Sequence, residues 1–319
     1  MNDVTCLGIL VADIIVPVNE LPEDGKLSLV SHIALYTGGC AANTGIDLAK
    51  LGIKTAIIGK MGNDGFGQFF FNEFKRFNIH TSAITVQDGL STSASVVMLN
   101  QNGERSFLHA LGANATLTME DIDFSVIESS KILFVAGALL MPRLDGEPTA
   151  EILKHAQERG VFTALDTAWD STGRWMEAIA PCLPHLDLFI PSIEEAQALS
   201  GETDVQKMAE VFLHKGTKLV VIKMGNKGCY IQSSLGEKHI VGTYRKIKPV
   251  DTTGAGDSFV AGFLTGILKG WDLKTCGKFA NAVGTHCIMQ VGASAGIKSF
   301  EEIFAFMTHN DEEVECVEC

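Results

Sequence analysis

The chain contains no G-x-x-x-x-G-K-[ST] stretch anywhere in its 319 residues, so the loop that brings a lysine to a nucleotide's terminal phosphates is missing. The glycines of "GNDGFG" (Gly62–Gly67) are spaced wrongly for G-x-G-x-x-G, and the usual dinucleotide-binding fingerprint is excluded with them. Positive charge is scarce as well: 25 Lys and Arg stand against 38 Asp and Glu, for a net charge of −13. That balance argues against binding nucleic acid or an anionic membrane, and any anionic ligand must be held by local fields. No apolar run reaches membrane-spanning length without charges or glycines, and "MNDVTCLGILVADIIV" opens without a basic segment, so a soluble, cytoplasmic protein is expected. There is no internal repeat, low-complexity segment or Pro-rich linker, and one large domain over residues 1–310 is expected. The eight cysteines lie in apolar surroundings such as "TCLGIL" and "THCIMQ", which suits reduced thiols and not a disulfide framework. The terminal "CVEC" (Cys316–Cys319) has the spacing of a metal or redox pair. It stands alone in an acidic tail, 311–319, that is expected to be solvated and disordered.

What is present is an alternation of strand-length apolar runs with longer segments of helical period. "KTAIIG" precedes "GFGQFFFNEFKRF", "KILFVAG" precedes "PTAEILKHAQERG", "VFTALD" precedes "RWMEAIAP", and "LDLFIP" precedes "IEEAQALSG". Repeated βα units of this kind predict a mainly parallel sheet with helices on both faces, an α/β/α sandwich. The near-continuous apolarity of "TKLVVIKM" (Thr217–Met224) fits strands buried on both sides. Two stretches instead alternate at period two: "KLSLVSHIALYT" (Lys26–Thr37) and "TSASVVMLNQNGERSFLHAL" (Thr92–Leu111), the latter with a turn at "NQNGE". They predict a small half-buried β-sheet, from about residues 10–37 and 92–111, that lies over a cleft as a lid.

Three stretches carry chemistry. In "YTGGCAANTGIDLAKLG", Gly38 and Gly39 precede a helix that holds Asn43 one turn inside, so a polyol could approach bare backbone and an amide side chain. Asp13 in "LVADIIV" is a carboxylate within an apolar strand, where an unpaired charge is costly, and it needs a partner: a structural one or a substrate hydroxyl. In "PVDTTGAGDSFVAGFLTGILKG", a glycine turn ends at a helix N-terminus whose apolar positions follow a helical period from Phe259 to Leu268. Amides at Ala255, Gly256 and Asp257 would face one point with the helix dipole behind them, an anion site made without lysine. Asp257 itself reads either as the helix N-cap or as a base that takes a proton from an alcohol beside a transferred phosphoryl group. Lys223 ends an apolar strand, where ligands of α/β proteins gather. Arg105, after the "NQNGE" turn, is a lid-edge charge that could also reach an anionic substrate.

These residues resemble the ribokinase-like, or PfkB, family of carbohydrate kinases. "DTTGAGDSFVAGFLTG" is similar to that family's C-terminal signature, and "GGCAANTGIDLAKLG" with "GKMGNDGFG" to its N-terminal one; the similarity spans residues 3–308. The resemblance implies transfer of the ATP γ-phosphoryl group to a hydroxymethyl group, with Mg²⁺. It implies Asp257 as general base, Gly254, Ala255 and Gly256 as the anion hole, and Asp13, Gly38, Gly39 and Asn43 as binders of acceptor hydroxyls. "KMGNKG" looks like the nucleotide turn, with Lys223, Gly225 and Gly228 near ATP, and Asn281 matches a residue beside the adenine. Asp251 and Thr253, with Gln290, Gly292 and Gly296, resemble a monovalent-cation (K⁺) site. The family's N-x-x-E motif, linked to Mg²⁺ and phosphate placement, appears as "SIEE": Glu195 is kept and Ser192 replaces asparagine.

The expected activity is therefore an ATP-dependent sugar kinase acting on ribose, a ketohexose or a keto-sugar acid. A nucleoside kinase on the same fold is the alternative, although "SLVSHIALYT" offers mainly Tyr36 toward an aromatic slot. A non-catalytic sugar-binding protein is the third reading. The apolar face of the lid would also suit a homodimer.

Overall fold

The computed structural model describes residues 1–18, 20–100, 105–310, 314 and 316–318. Strands β1 (Asn2–Gly8), β2 (Val11–Pro17) and β3 (Ala34–Gly38) lead into helix α1 (Cys40–Lys50). Next come β4 (Thr55–Gly62), α2 (Gly65–Arg76), β5 (Ile84–Gln87), β6 (Ala94–Leu99) and β7 (Arg105–Ala110). The middle of the chain runs through α3 (Phe124–Glu128), β8 (Ser130–Ala138), α4 (Glu147–Glu158), β9 (Phe162–Thr167), α5 (Trp175–Ile179) and β10 (Leu188–Phe189). It continues with α6 (Ile193–Ser200), α7 (Val205–His214), β11 (Leu219–Lys223), β12 (Cys229–Ser233) and β13 (Lys238–Val241). Helices α8 (Ala255–Leu268), α9 (Leu273–Cys287) and α10 (Phe300–His309) precede the last strand, β14 (Cys316–Glu318).

Ten strands form one sheet in the order β14-β13-β12-β11-β10-β9-β8-β1-β4-β5. Every pairing from β5 to β11 is parallel, and the three strands beyond β11 are antiparallel. Successive residues of a strand point to opposite faces, and both faces are covered. Val4, Phe134 and Val221 pack with Phe263 of α8 and Phe279 of α9, whereas Leu7, Val135 and Val220 pack with Ile152 of α4 and Phe212 of α7. This double burial explains the unbroken apolar runs and gives the expected three layers.

The expected second sheet is present as β3-β2-β6-β7, with β2 antiparallel to β3 and parallel to β6. It is smaller than its period-two pattern predicts. Only Ala34–Gly38 of the first stretch is a strand; Lys26–Ile33 pairs with no strand, and Leu27 and Leu29 stand 80% and 92% exposed. Alternation makes a strand only where another strand completes the ladder, and of this stretch only residues 34–38 pair with β2. Of the turn expected at "NQNGE", residues 101–104 lie outside those described.

Two further differences have backbone causes. The strand expected over "LDLFIP" shortens to Leu188–Phe189, because Pro191 has no N–H to extend the ladder. In place of the solvated end expected from its charge, Cys316–Glu318 pairs antiparallel with β13, matching Ile240 with Val317. An open sheet edge offers main-chain donors and acceptors whatever the side chains. Cys319 lies outside the described residues, and no group of three or more His, Cys, Asp or Glu able to hold a metal occurs among those described. Nor is any described helix long and apolar enough to cross a membrane.

Candidate active site

The glycine turn of "DTTGAGD" ends where the sequence predicts, at the start of α8. Gly254 is the N-cap residue with φ 76°, and a Cβ there would sit 2.5 Å from the Ala293 carbonyl oxygen. Only glycine fits that conformation and that contact. The turn is closed by Ala255, whose amide donates to the Thr252 carbonyl at 3.3 Å. Of the three amides expected to face an anion, that of Ala255 is thus taken up, while Gly256 and Asp257 stand in the helical turn whose N–H groups have no carbonyl to bond within the helix. Asp257 is the third residue of α8 and not its N-cap, and the cap makes no side-chain bond. Capping therefore does not account for this carboxylate.

Its surroundings do. Asn43, one turn into α1, donates from Nδ2 to Asp257 Oδ2 at 2.8 Å, and Thr44 Oγ1 donates to the Asp257 main-chain carbonyl at 3.3 Å. Burial raises the Asp257 carboxyl above its ordinary value; Asn43, the Lys223 ammonium and the Cys40 thiol pull the other way, and Glu195 pushes with the burial. A carboxylate with a raised pKa that still retains donors is suited to taking and returning a proton.

Beside it opens a cavity of about 1080 Å³, lined by Gly254, Ala255, Gly256 and Asp257 of the α8 turn, by Ser192, Glu195 and Lys223, and by Gly225, Gly228 and Asn281. Lys223 Nζ donates to Asp166 Oδ2 at 2.5 Å. Ser192 and Glu195 form a reciprocal cap on α6: Glu195 N donates to Ser192 Oγ at 3.3 Å, and Ser192 N donates to Glu195 Oε2 at 2.9 Å. Glu195 Oε2 also accepts from Thr167 Oγ1 at 3.1 Å. A serine in place of asparagine thus caps the helix and fixes the glutamate. Asn281 turns its amide nitrogen to the carbonyls of Val241 (3.2 Å) and Gly242 (2.8 Å), pinning the end of β13 at the cavity wall.

The residues expected on the acceptor side do not line this cavity; they meet across β2, β3 and α1. A Cβ on Gly38 would fall 2.1 Å from Asp13 Oδ2, so the glycine makes room for that carboxylate. Burial pushes Asp13 up to about 6, against a hydrogen bond from Ser95 and with the help of the Asp257 charge. Gly39 immediately precedes α1. Arg105 begins β7, opposite Leu99 of β6, and its side chain lies outside the described residues. In the expected cation loop, Asp251 accepts from the amides of Thr253 (2.8 Å) and Gly292 (3.0 Å), while Gly296 abuts the His286 carbonyl and Gln290 is exposed.

Two residues of the site escaped the sequence reading. Asp166 ends the apolar run "VFTALD", the same signal that singled out Asp13, and Cys40 directly follows the glycine pair. Both line the cavity. An acid closing a buried strand is the observation that could have found Asp166.

The pfkB family carbohydrate kinase profile matches residues 1–299. An uncharacterized sugar kinase of Archaeoglobus fulgidus is 31% identical over 250 residues, which is 78% of this chain and 97% of that protein. A 2-dehydro-3-deoxygluconokinase of Bacillus subtilis is 28% identical over 297 residues, 90% of this chain and 91% of its own. The crystal structure of ribokinase from Thermotoga maritima superposes with a TM-score of 0.83 at 26% identity, covering 97% of this chain and 100% of that one. With the profile running from β1 to the edge of α10, through both glycine turns and Asp257, this chain belongs to the pfkB family of carbohydrate kinases, sugar kinases that transfer a phosphoryl group to an alcohol.

Proposed function

We propose that the chain phosphorylates a primary hydroxyl of a small sugar (ribose, a ketohexose or a keto-sugar acid) with ATP, and that Asp257 is the general base. The observation that carries this reading is the double position of Asp257, which bonds Asn43 on the acceptor side while standing in the first turn of α8 on the cavity wall. The sugar lies against Asp13, Gly38, Gly39 and Asn43, with Arg105 at the edge. Asn43 Oδ1 is buried without a hydrogen-bond partner among the described residues and would accept from a sugar hydroxyl. Asp257 takes the proton of the attacking hydroxyl, and the amides of Gly256 and Asp257 face the charge that grows on the transferred group.

ATP occupies the cavity with its phosphates toward Lys223, Gly225, Gly228, Glu195 and Ser192, and its base toward Asn281. Glu195 is already held by Ser192 and Thr167, and such a carboxylate fits Mg²⁺ through water, with phosphate oxygens as the main ligands. Mg²⁺ bound with ATP supplies charge neutralisation at the β- and γ-phosphates. Asp251, Thr253, Gln290, Gly292 and Gly296 form the candidate K⁺ loop. Tyr36 lies against this loop, where a Cβ on Gly292 would meet its ring at 2.8 Å; "SLVSHIALYT" offers no second Phe, Trp or Tyr to close a base-binding slot, which favours a sugar over a nucleoside. The second sheet is proposed as a lid, and its exposed Leu35 and Leu108 suit pairing with a second copy. Sedimentation at micromolar concentration that finds only monomer refutes the pairing.

Asp257→Asn is expected to cut kcat by roughly 10²-fold or more, and near-wild-type turnover sinks the mechanism. An ATPase-coupled panel of pentoses, ketohexoses, 2-keto-3-deoxy acids and nucleosides, with and without potassium, identifies the acceptor and tests the loop.

A further inference from the structure

Helix α1 carries polar side chains at Cys40, Asn43, Thr44 and Asp47, a spacing that places all four on one face. That face packs on the first turn of α8. Asn43 and Thr44 bond Asp257, and one turn further along Asp47 Oδ2 accepts from Ser258 Oγ at 2.5 Å. Asp47, Thr44 and Ser258 are wholly buried, and Asn43 is 4% exposed. A buried carboxylate contributes less to stability than apolar packing of the same volume would, so packing does not explain an aspartate at position 47.

We propose that Asp47 is a positioning residue for phosphoryl transfer. By holding the Ser258 hydroxyl against α1, it fixes the rotation of the first turn of α8, and with it the direction in which Asp257 presents its carboxylate. Successive residues of a helix are about 100° apart around its axis, so pinning residue 258 toward α1 sets the azimuth of residue 257. Asn43 and Thr44 then hold Asp257 itself, from its side chain and its main chain. Neither Asp47 nor Ser258 lines the cavity or belongs to the proposed sugar site. The inference rests on Asp257 being the base.

The test uses the full-length chain and the sugar that it phosphorylates, with five variants: Asp47→Leu, Asp47→Asn, Ser258→Ala, the double Asp47→Leu/Ser258→Ala, and Asp257→Asn. Asp47→Leu and Ser258→Ala are each expected to lower kcat roughly 10-fold, as misplacement of a reacting group does, with KM for ATP and sugar within about twofold of wild type. Asp47→Asn keeps an acceptor for Ser258 and is expected to restore most of the turnover. The double variant is expected to be no slower than the slower single one, because both remove the same contact. Should Asp47→Leu fail to fold by circular dichroism, Ser258→Ala with Asp47→Asn carries the test. Folded Ser258→Ala at wild-type kcat, or Asp47→Asn as slow as a variant that lacks the contact, overturns the proposal. If Asp257→Asn is slow while Ser258→Ala is not, positioning alone fails; if Asp257→Asn turns over normally, the base assignment fails first.

Discussion

Lys223 and Asp166 close on each other over the two-residue strand β10, Nζ to Oδ2 at 2.5 Å, with β9 paired on one side of that strand and β11 on the other. Burial pushes the Asp166 carboxyl up to about 7, against the pull of Lys223 and with the charges of Glu195 and Asp257. Burial works against the Lys223 ammonium too, but Asp166 and Glu195 outweigh it and hold the group above its ordinary value. Lys223 therefore keeps its charge at the cavity wall.

Replacing that charge is expected to weaken ATP handling while sparing the fold. In Lys223→Met the Asp166 carboxyl loses its counter-charge, rises further and takes up a proton at pH 7, so no buried charge is stranded. KM for ATP is expected to rise roughly 10-fold or more, on the scale of charge-assisted phosphate contacts, with a melting temperature close to wild type. Kinetics at varied ATP that leave KM unchanged would remove Lys223 from the nucleotide site.

Stability is expected to fall as pH rises through neutrality. Burial is the main cause that lifts Asp13 and Asp145 to about 6 and Asp47 and Asp166 to about 7, from 3.8. Each binds its proton more tightly folded than unfolded, so the stability it contributes is complete below 3.8 and is lost as pH climbs through the folded values. At Asp64, Asp121 and Asp170 burial also raises the pKa, but hydrogen bonds outweigh it and hold each carboxyl below 3.8; their contribution is lost at the acid end instead. Calorimetric melting of the ligand-free protein should therefore peak between about pH 4 and 6 and decline toward pH 8. A melting temperature that climbs steadily to pH 8 contradicts this.

Gly38→Ala should act on the acceptor side alone. The new Cβ would fall 2.1 Å from Asp13 Oδ2, so the carboxylate must swing away. The expected result is a KM for sugar raised at least several-fold with KM for ATP unchanged. Equal loss of both affinities would mean that the second sheet had shifted as a whole.

At Ser192, asparagine and alanine should part company. Asparagine caps a helix as well as serine does, so Ser192→Asn should be close to neutral in stability and turnover, whereas Ser192→Ala loses the bond from Glu195 N and about 1 kcal/mol. Urea unfolding, with kcat measured in parallel, distinguishes the two. If alanine matches wild type in both, the reciprocal cap is not what holds Glu195.

Much of this could be read in the sequence because local physics repeats along the chain. Strands β4, β8, β9 and β11 fall within one to three residues of their apolar runs, since both faces of each are buried, and α8 begins at the glycine turn that only glycine can make. Where a strand depends on its neighbour, the reading failed. Lys26–Ile33 alternates but finds no partner, β10 stops short of a proline, and the acidic tail pairs through its backbone.

The order of residues was by itself enough to determine the βα alternation, the glycine turn with Asp257 just beyond it, and the pair of signatures that point to a carbohydrate kinase, because period, turn chemistry and motif spacing are properties of neighbours in the chain. Only the tertiary structure decided which groups share space. Asn43 and Asp257 are 214 residues apart and bonded, and Lys223 and Asp166 are 57 apart and paired. Burial, Coulomb interaction and hydrogen bonding depend on distance through space and on excluded water, and neither is written in the spacing of residues along the chain.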